Sequence, residues 1–218
     1  MRRILLSLIL AALSAFAAPA RSEEISPAND SAADWRMVLD SVVGTNAQSG
    51  LAALDPLAAP FIACSGTACH HTWLVALNAD DREDIRQLFA GVADAGQERQ
   101  ALAQAIARIE TSVGAQNGTW ADQAGNRLSD TDDPDQLDCV SETINTRSYL
   151  ERLVQAGLVG HHRLGQVVMR FTLILQHVAS TIVDTDADVE YVIDSWVGAN
   201  GEEPSVETYP QWRGHWQV

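Results

Sequence analysis

The feature of the sequence that most constrains its fold is a change in hydrophobic period along the chain. In residues 97–114, apolar side chains recur at spacings of four, three and four, which is the period of a helix buried on one face. In residues 166–184 and 189–197, β-branched and aromatic residues predominate, which is typical of strands. Helices followed by strands predict an α+β fold, with N-terminal helices and a central helix packed on an antiparallel sheet.

Further helical patterns lie at residues 34–44 and 80–92, and another follows a cysteine at position 139. Residues 114–136, just before that cysteine, carry Gly, Asn and Asp without a period, so they are predicted to form a long loop. A loop of that length in a compact domain is usually functional or disordered. We expect all these segments to belong to one globular unit, because 218 residues can share a single core.

The first 20 residues have the pattern of a secretory signal peptide. Arg2 and Arg3 precede an apolar run, and the small residues Ala18 and Ala20 suit signal peptidase. The run is shorter than the roughly 20 residues that a membrane span needs. We therefore expect an exported bacterial protein, periplasmic or secreted, with no membrane span in the mature chain.

The charge of the chain excludes two classes of partner. The formal net charge is −15 at pH 7, and removal of the signal peptide with its two arginines makes it more negative. Nucleic acids and anionic membrane surfaces repel such a field. A protein or peptide substrate is the partner that we expect.

Export changes what the three cysteines imply, because thiols pair in oxidising compartments. Cys64 and Cys69 flank a Ser-Gly turn and can come within disulfide range, which leaves Cys139 as the spare thiol. Two alternatives remain open. Cys64 and Cys69 could bind zinc or copper together with His70 or His71, or both could stay unpaired.

In the stretch "LDCVSETINTRSYLERL" at residues 137–153, Cys139 stands where a polar loop becomes an amphipathic helix, so it is predicted to lie in the first turn of that helix. The helix dipole favours a thiolate there, whereas Asp138 and Glu142 oppose it. A nucleophilic thiol also needs a base. Beside an imidazolium, Cys139 should titrate below the roughly 8.5 of a free thiol.

His177 and Asp194 are the candidates for the base and its orienting group. If the hairpin loop is 185–186 or 184–187, His177 lies directly opposite Asp194 on the neighbouring strand. Side chains in such pairs are about 4.5 to 5.5 Å apart at Cβ, so a carboxylate could hold the imidazole.

Other histidines and tryptophans are predicted to have structural positions. His161 and His162 lie between a helix and a strand, where a solvated turn is expected. The tail contains Tyr209, Trp212 and Trp216, and these aromatic residues are expected to fold the tail back over the core.

The order helix-cysteine, strand-histidine, strand-aspartate resembles the papain and transglutaminase superfamily, and most closely the exported bacterial transglutaminase-like cysteine proteinases. "DC" at 138–139, "HVASTIVD" from 177 and "YVIDSW" from 191 carry the resemblance, which extends from residue 97 to residue 205. "DSWVG" is also similar to the "NSWG" of papain-like peptidases, whose tryptophan shields the histidine from water. Trp196 matches that tryptophan.

The sequence departs from the family around the cysteine. Asp133 stands where papain-like enzymes have the glutamine that stabilises the oxyanion, so Gln136, Gln123 and Trp120 are the substitute donors on the loop. The acidic residues that bind calcium in the transglutaminase-like proteinases are replaced after the cysteine, and no cofactor is expected.

The resemblance implies a periplasmic thiol-dependent hydrolase or acyltransferase that acts on peptide or isopeptide amides. Cys139 would attack the carbonyl, His177 would move the proton and Asp194 would orient the imidazole. The resemblance assigns residues 97–218 to the transglutaminase-like core and residues 21–96 to an N-terminal helical extension. Three residues are expected to support the triad: Trp196, Gln136 and Asp138.

Two other functions fit the sequence. A catalytically inactive member of the superfamily would act as an interaction domain, which is favoured if Cys139 is buried and unreactive. A metal or thiol-redox protein would use the cysteines and histidines of residues 64–71.

The disulfide predicts a simple count of reactive thiols. Before reduction, the purified exported protein should contain two fewer alkylatable thiols than after reduction, because Cys64 and Cys69 are joined. Intact-mass measurement after alkylation reads this number directly. Alkylation of all three cysteines without a reductant would show that the pairing is wrong.

Overall fold

The computed structural model of the protein describes residues 21–25, 35–126, 133–171 and 176–215. The predicted signal peptide, residues 1–20, lies outside the described residues.

Helices and strands both contribute, so the α+β prediction is confirmed. The helices are α1 (Trp35–Leu51), α2 (Ala79–Leu88), α3 (Ala95–Asn117), α4 (Cys139–Gln155) and α5 (Tyr209–Gly214). The strands are β1 (Glu24–Ile25), β2 (Phe61–Ser65), β3 (His71–Val75), β4 (His162–Phe171), β5 (Gln176–Asp184), β6 (Glu190–Asp194) and β7 (Ser205–Thr208). Within the described residues, one antiparallel sheet has the order β1-β3-β2 and a second has the order β4-β5-β6-β7.

Several boundaries differ from the prediction. Helix α1, predicted over residues 34–44, continues to Leu51, and α2, predicted to residue 92, ends at Leu88. The apolar run at 166–184 was predicted to be one strand because it contains no Gly, Pro or Asn to mark a turn. In the structure it contributes to both β4 and β5. Helix α3 continues to Asn117, inside the predicted loop, and Gly118 ends it. Gly118 has a φ of 98°, in the left-handed region that glycine adopts without strain.

The hydrophobic core contains residues from both halves of the chain. Phe61 and Trp73 of the first sheet pack in one buried cluster with Ile106 of α3, Leu150 of α4 and Ile182 of the second sheet. This cluster crosses position 96, so residues 21–96 share a core with the segment that follows. The predicted N-terminal extension is not only helical, because it contains the first sheet.

Helix α4 lies at the centre of the fold, and its buried polar residues bond to strand backbones. Asn145 accepts from the backbone N of Cys64 at 2.7 Å and donates to its carbonyl at 2.9 Å. Thr143 donates to the carbonyl of Val178 in β5 at 3.0 Å. Because buried backbone groups need partners, these bonds fix the position of α4 against both sheets.

The loop between β2 and β3 is closed by a disulfide that joins Cys64 and Cys69. Ala68 has a φ of 51° and Cys69 a φ of 61°, both in the left-handed region. The backbone N of Ala68 donates to Asp138 Oδ2 at 3.0 Å, and that of Cys69 donates to Ser141 Oγ at 2.8 Å. The disulfide loop is therefore bonded to the first turn of α4.

His161 is half-buried, whereas His162, the first residue of β4, does not lie in a solvated turn as the sequence suggested. The side chain of His162 is fully buried, and its Nδ1 lies 2.8 Å from Glu98 Oε1. Glu98 also accepts the backbone N–H groups of Gly160 and His161. The Glu98 carboxylate thus joins the start of α3 to the start of β4, and its bond to His162 holds that imidazole in the interior of the protein.

No helix in the described part of the chain is both long and apolar enough to cross a membrane. The buried disulfide is compatible with an exported protein, since such bonds persist in oxidising compartments.

Replacing both bonded cysteines, in C64A/C69A, should lower the free energy of unfolding by about 2 kcal/mol, because the disulfide closes only a short loop. It should also speed amide exchange at Ser141, whose N–H bonds to the Asp138 carboxylate. Urea unfolding and hydrogen exchange measure the two effects. Cys139→Ala, which keeps the disulfide, is the control. Unchanged exchange at Ser141 in C64A/C69A would show that the loop does not hold the helix end.

Candidate active site

Cys139 is the first residue of α4, as the sequence predicted. Asp138 caps the helix, because its Oδ1 accepts the backbone N–H of Ser141 at 2.8 Å. The supporting role expected of Asp138 is therefore that of a helix cap. Cys139 is half-buried and is a free thiol.

Strand β5 reaches past its neighbour β6 toward this helix. Residues 180–183 of β5 pair with β6, whereas residues 176–178 extend beyond that pairing. Residues of α4 contact two backbone carbonyls in this extension. Cys139 Sγ lies 3.9 Å from Gln176 O, and Thr143 Oγ1 donates to Val178 O. The thiol thus lies against the residue that precedes His177.

The predicted contact between His177 and Asp194 is confirmed. The imidazole Nε2 lies 2.7 Å from Asp194 Oδ2, and both side chains are buried. The predicted register is wrong, however, because Val183 pairs with Glu190, whereas both predicted loops would pair Val183 with Asp188, two residues earlier. A shift of two residues keeps each side chain on its face of the sheet, so His177 and Asp194 meet diagonally.

The second ring nitrogen of His177, Nδ1, is buried and is not engaged in a hydrogen bond with the described residues. Within those residues, Cys139 Sγ bonds to the Gln176 carbonyl and not to this nitrogen. The structure therefore brings the three predicted residues to one place, with the histidine and aspartate joined and the thiol turned to the neighbouring carbonyl.

The acidity of the thiol differs from the expectation. Burial raises the pKa of Cys139 to about 12, and the charges of Asp138 and Asp194 act in the same direction. The sequence-based expectation of a pKa below that of a free thiol depended on an imidazolium beside the sulfur of Cys139. Because the sulfur lies against a carbonyl, the thiol keeps its proton at neutral pH.

Two tryptophan rings cover His177. The ring centroid of Trp196 lies 4.6 Å from that of the imidazole, which fits the shielding role that the resemblance implied. Trp212 of α5 lies 5.6 Å away, and its Nε1 donates to Asp194 Oδ2 at 2.7 Å. The sequence predicted that Trp212 packs on the core and did not predict this bond. Trp216 lies outside the described residues.

Gln136, the expected oxyanion donor, is bonded within the loop. Its Nε2 donates to the carbonyl of Ala121 at 3.1 Å, and its Oε1 accepts from the backbone N of Gln123 and from Asn126. The side chain therefore joins residues 121–126 to the segment that leads into α4. It supports the position of Cys139 through this loop.

Three buried carboxyl groups lie behind the site. Burial raises the pKa of Glu110 to about 8 and that of Asp122 to about 6. Burial, together with the charges of Glu110 and Asp122, also raises the pKa of Glu142 well above its ordinary value. Glu110 Oε1 has no hydrogen-bond partner among the described residues. Burial thus disfavours the charged forms of these carboxyl groups, as it disfavours the thiolate form of Cys139.

No group of three or more His, Cys, Asp or Glu side chains within the described residues is placed to hold a metal ion. The metal interpretation of residues 64–71 required free thiolates at Cys64 and Cys69, and these cysteines are joined in a disulfide instead.

An open groove of about 510 Å³ lies elsewhere, beside α1 and the bulge of β4, and Trp35, Arg147 and Val167 are among its lining residues. None of the triad residues lines that groove.

Comparison of the chain with protein-family models, with curated proteins and with solved structures found no match. A functional assignment therefore depends on the geometry of the described residues.

The raised pKa of Glu110 predicts a pH dependence of stability. Between the ordinary value of 4.5 and about 8, Glu110 is protonated in the folded protein and ionised in the unfolded chain. The unfolded state then binds fewer protons, so stability should fall as pH rises through this range and level off above it. Glu110→Gln should remove a loss on the order of a few kcal/mol.

Urea unfolding of wild type and Glu110→Gln from about pH 5 to about pH 9 measures the slope. Glu203→Gln, which changes an exposed carboxylate, is the matched control and should keep the wild-type slope. Parallel pH profiles for wild type and Glu110→Gln would contradict the prediction.

Proposed function

We propose that this chain is a thiol-dependent hydrolase or acyltransferase of the papain and transglutaminase superfamily. Its substrates are peptide or isopeptide amides, and it works in the bacterial periplasm or outside the cell. The observation that supports the proposal best is the buried His177, whose Nε2 bonds to Asp194 while Nδ1 has no hydrogen-bond partner among the described residues. The carbonyl of the preceding residue, Gln176, contacts the Cys139 thiol.

The chemistry follows from which ring nitrogen is engaged. Nε2 is held by Asp194, so Nδ1 is the nitrogen that can take a proton from Cys139. As sulfur attacks the carbonyl carbon, the thiol proton passes to Nδ1. The imidazolium then gives this proton to the leaving amine, and the acyl group stays on sulfur as a thioester.

The second half of the reaction resolves the thioester. Water attacks in a hydrolase and an amine attacks in a transferase, and in both cases Nδ1 takes a proton from the nucleophile. That proton returns to sulfur when the carbon–sulfur bond breaks. The cycle restores the neutral thiol and the neutral imidazole.

Because the pKa of Cys139 is raised, the thiol proton passes to His177 during the attack and not before it. In the resting arrangement, burial keeps the thiol protonated. The proposed chemistry requires the sulfur to leave the Gln176 carbonyl and turn toward Nδ1 by rotation about the Cα–Cβ bond of Cys139. His177 then acts as a general base during the attack, in place of a preformed ion pair.

One observation favours a second candidate, a catalytically inactive domain of the same fold that binds other proteins. The thiol has a pKa of about 12 and bonds to a backbone carbonyl, which is what a packing cysteine does. If Cys139 never meets Nδ1, the buried His177 and Asp194 only stabilise the end of the sheet.

Alkylation of Cys139 by iodoacetamide near pH 6 to 7 separates the two candidates. A thiol that transfers its proton to His177 reacts as a thiolate, so His177→Ala should slow labelling by about 100-fold. Asp194→Ala should slow it less, because the base remains. Mass spectrometry after a timed quench measures the rates.

His161→Ala is the matched control, since it removes a histidine outside the site, and it should label like wild type. Cys139→Ser should take up no label before reduction. Equally slow labelling of wild type, His177→Ala and Asp194→Ala would overturn the enzyme proposal and support the interaction domain.

A further inference from the structure

Asp194 accepts hydrogen bonds from two directions at the same oxygen. His177 Nε2 and Trp212 Nε1 each lie 2.7 Å from Oδ2. Trp212 belongs to the last helix of the described chain, and its side chain is 1% exposed. A tryptophan so deeply buried needs a partner for its N–H, and here the partner is the carboxylate of the proposed triad.

The nature of the indole donor determines where the protons lie. An indole N–H can only donate, so Oδ2 acts as its acceptor, and this second bond favours the form of Oδ2 that carries no proton. The proton shared between Oδ2 and His177 is thereby favoured on Nε2. In a neutral ring, Nδ1 is then the nitrogen that can take a proton, and it has no hydrogen-bond partner among the described residues.

Arg170 holds the indole in this position. It lies opposite His177 in the pairing of β4 with β5. Its guanidinium carbon lies 4.6 Å from the centre of the Trp212 ring, and its Nη1 donates to the Trp212 carbonyl at 2.7 Å. The ring is thus stacked on one cation while its N–H points at Asp194.

The other tryptophan beside His177 has a different arrangement. The Nε1 of Trp196 donates to the carbonyl of Asn126 at 2.8 Å, on the loop that precedes α4. Trp196 thus covers the imidazole, whereas Trp212 both covers it and bonds to Asp194.

We propose that Trp212 is a positioning residue of the site, which rests on the proposed function. Its N–H holds the Asp194 carboxylate in the orientation that keeps the proton of His177 on Nε2 and leaves Nδ1 free to act on Cys139. Helix α5 is then part of the active site, although it lies far from Cys139 in the sequence.

The test compares Trp212→Phe with Trp73→Phe. Phenylalanine at position 212 keeps an aromatic ring but removes the N–H bond to Asp194 together with part of the ring volume, and Trp73→Phe loses the same volume. Trp73 is also buried, and its Nε1 donates to Ser65 Oγ at 2.9 Å, away from the site, so Trp73→Phe loses an equivalent bond. Both variants are made in the full mature chain.

Nitrogen-15 spectra of the His177 ring are the first readout. Wild type and Trp73→Phe should show a protonated Nε2 and an unprotonated Nδ1. In Trp212→Phe the two signals should move toward each other as the second tautomer becomes populated. If Trp212→Phe keeps the wild-type His177 spectrum, the proposal is wrong, whether or not Cys139 is reactive.

Labelling of Cys139 by iodoacetamide is the second readout. Trp212→Phe should label about tenfold more slowly than wild type, as expected for the loss of a hydrogen bond to a charged group, and Trp73→Phe should label like wild type. A changed His177 spectrum with an unreactive wild-type thiol would confirm the positioning role of Trp212 and overturn the proposed function.

A measurement on the wild-type protein applies even if Trp212→Phe fails to fold. The indole N–H of Trp212 should exchange with solvent far more slowly than that of Trp120, whose side chain is 72% exposed. Equally fast exchange of the two indoles would show that the bond to Asp194 is absent in solution, and would overturn the proposal.

Discussion

The structure depends on the way helix α4 bonds to the backbones of two different sheets. Asn145 pairs with both backbone groups of Cys64 in β2, and Thr143 pairs with the carbonyl of Val178 in β5. A buried polar group left without a partner costs about 1 to 3 kcal/mol, so a slide of the helix along either strand would break several such bonds. Cys139, one turn before Thr143, is positioned by these bonds and by the disulfide loop.

The surroundings of Cys139 are buried and already acidic, and both properties oppose a thiolate. Glu110 and Glu142 keep their protons to higher pH because burial penalises their charged forms, and the same penalty acts on the sulfur. A nucleophile in such a place cannot rely on a standing negative charge. In the proposed chemistry it becomes anionic only while its proton is on His177, so no isolated charge is buried.

The geometry around His177 is produced by parts of the chain that are distant in sequence. The imidazole is on β5, its carboxylate partner Asp194 is on β6, and Trp212 is on α5. Arg170 on β4 stacks on the indole and bonds to the end of α5. Each side chain restricts the next one, so the orientation of the imidazole depends on the packing of the C-terminal helix against the sheet.

Local features were predictable from sequence: the start of α4 at Cys139, the disulfide pair, and the shared face of His177 and Asp194. Helix caps, short cysteine spacings and strand alternation act over a few residues, so neighbouring residues encode them. The hairpin register, the bond from Trp212 to Asp194, the use of Gln136 within the loop and the raised pKa of the thiol were decided only by the tertiary structure. Each of these depends on which distant groups come together and how much water they exclude, and no local pattern in the chain carries that information.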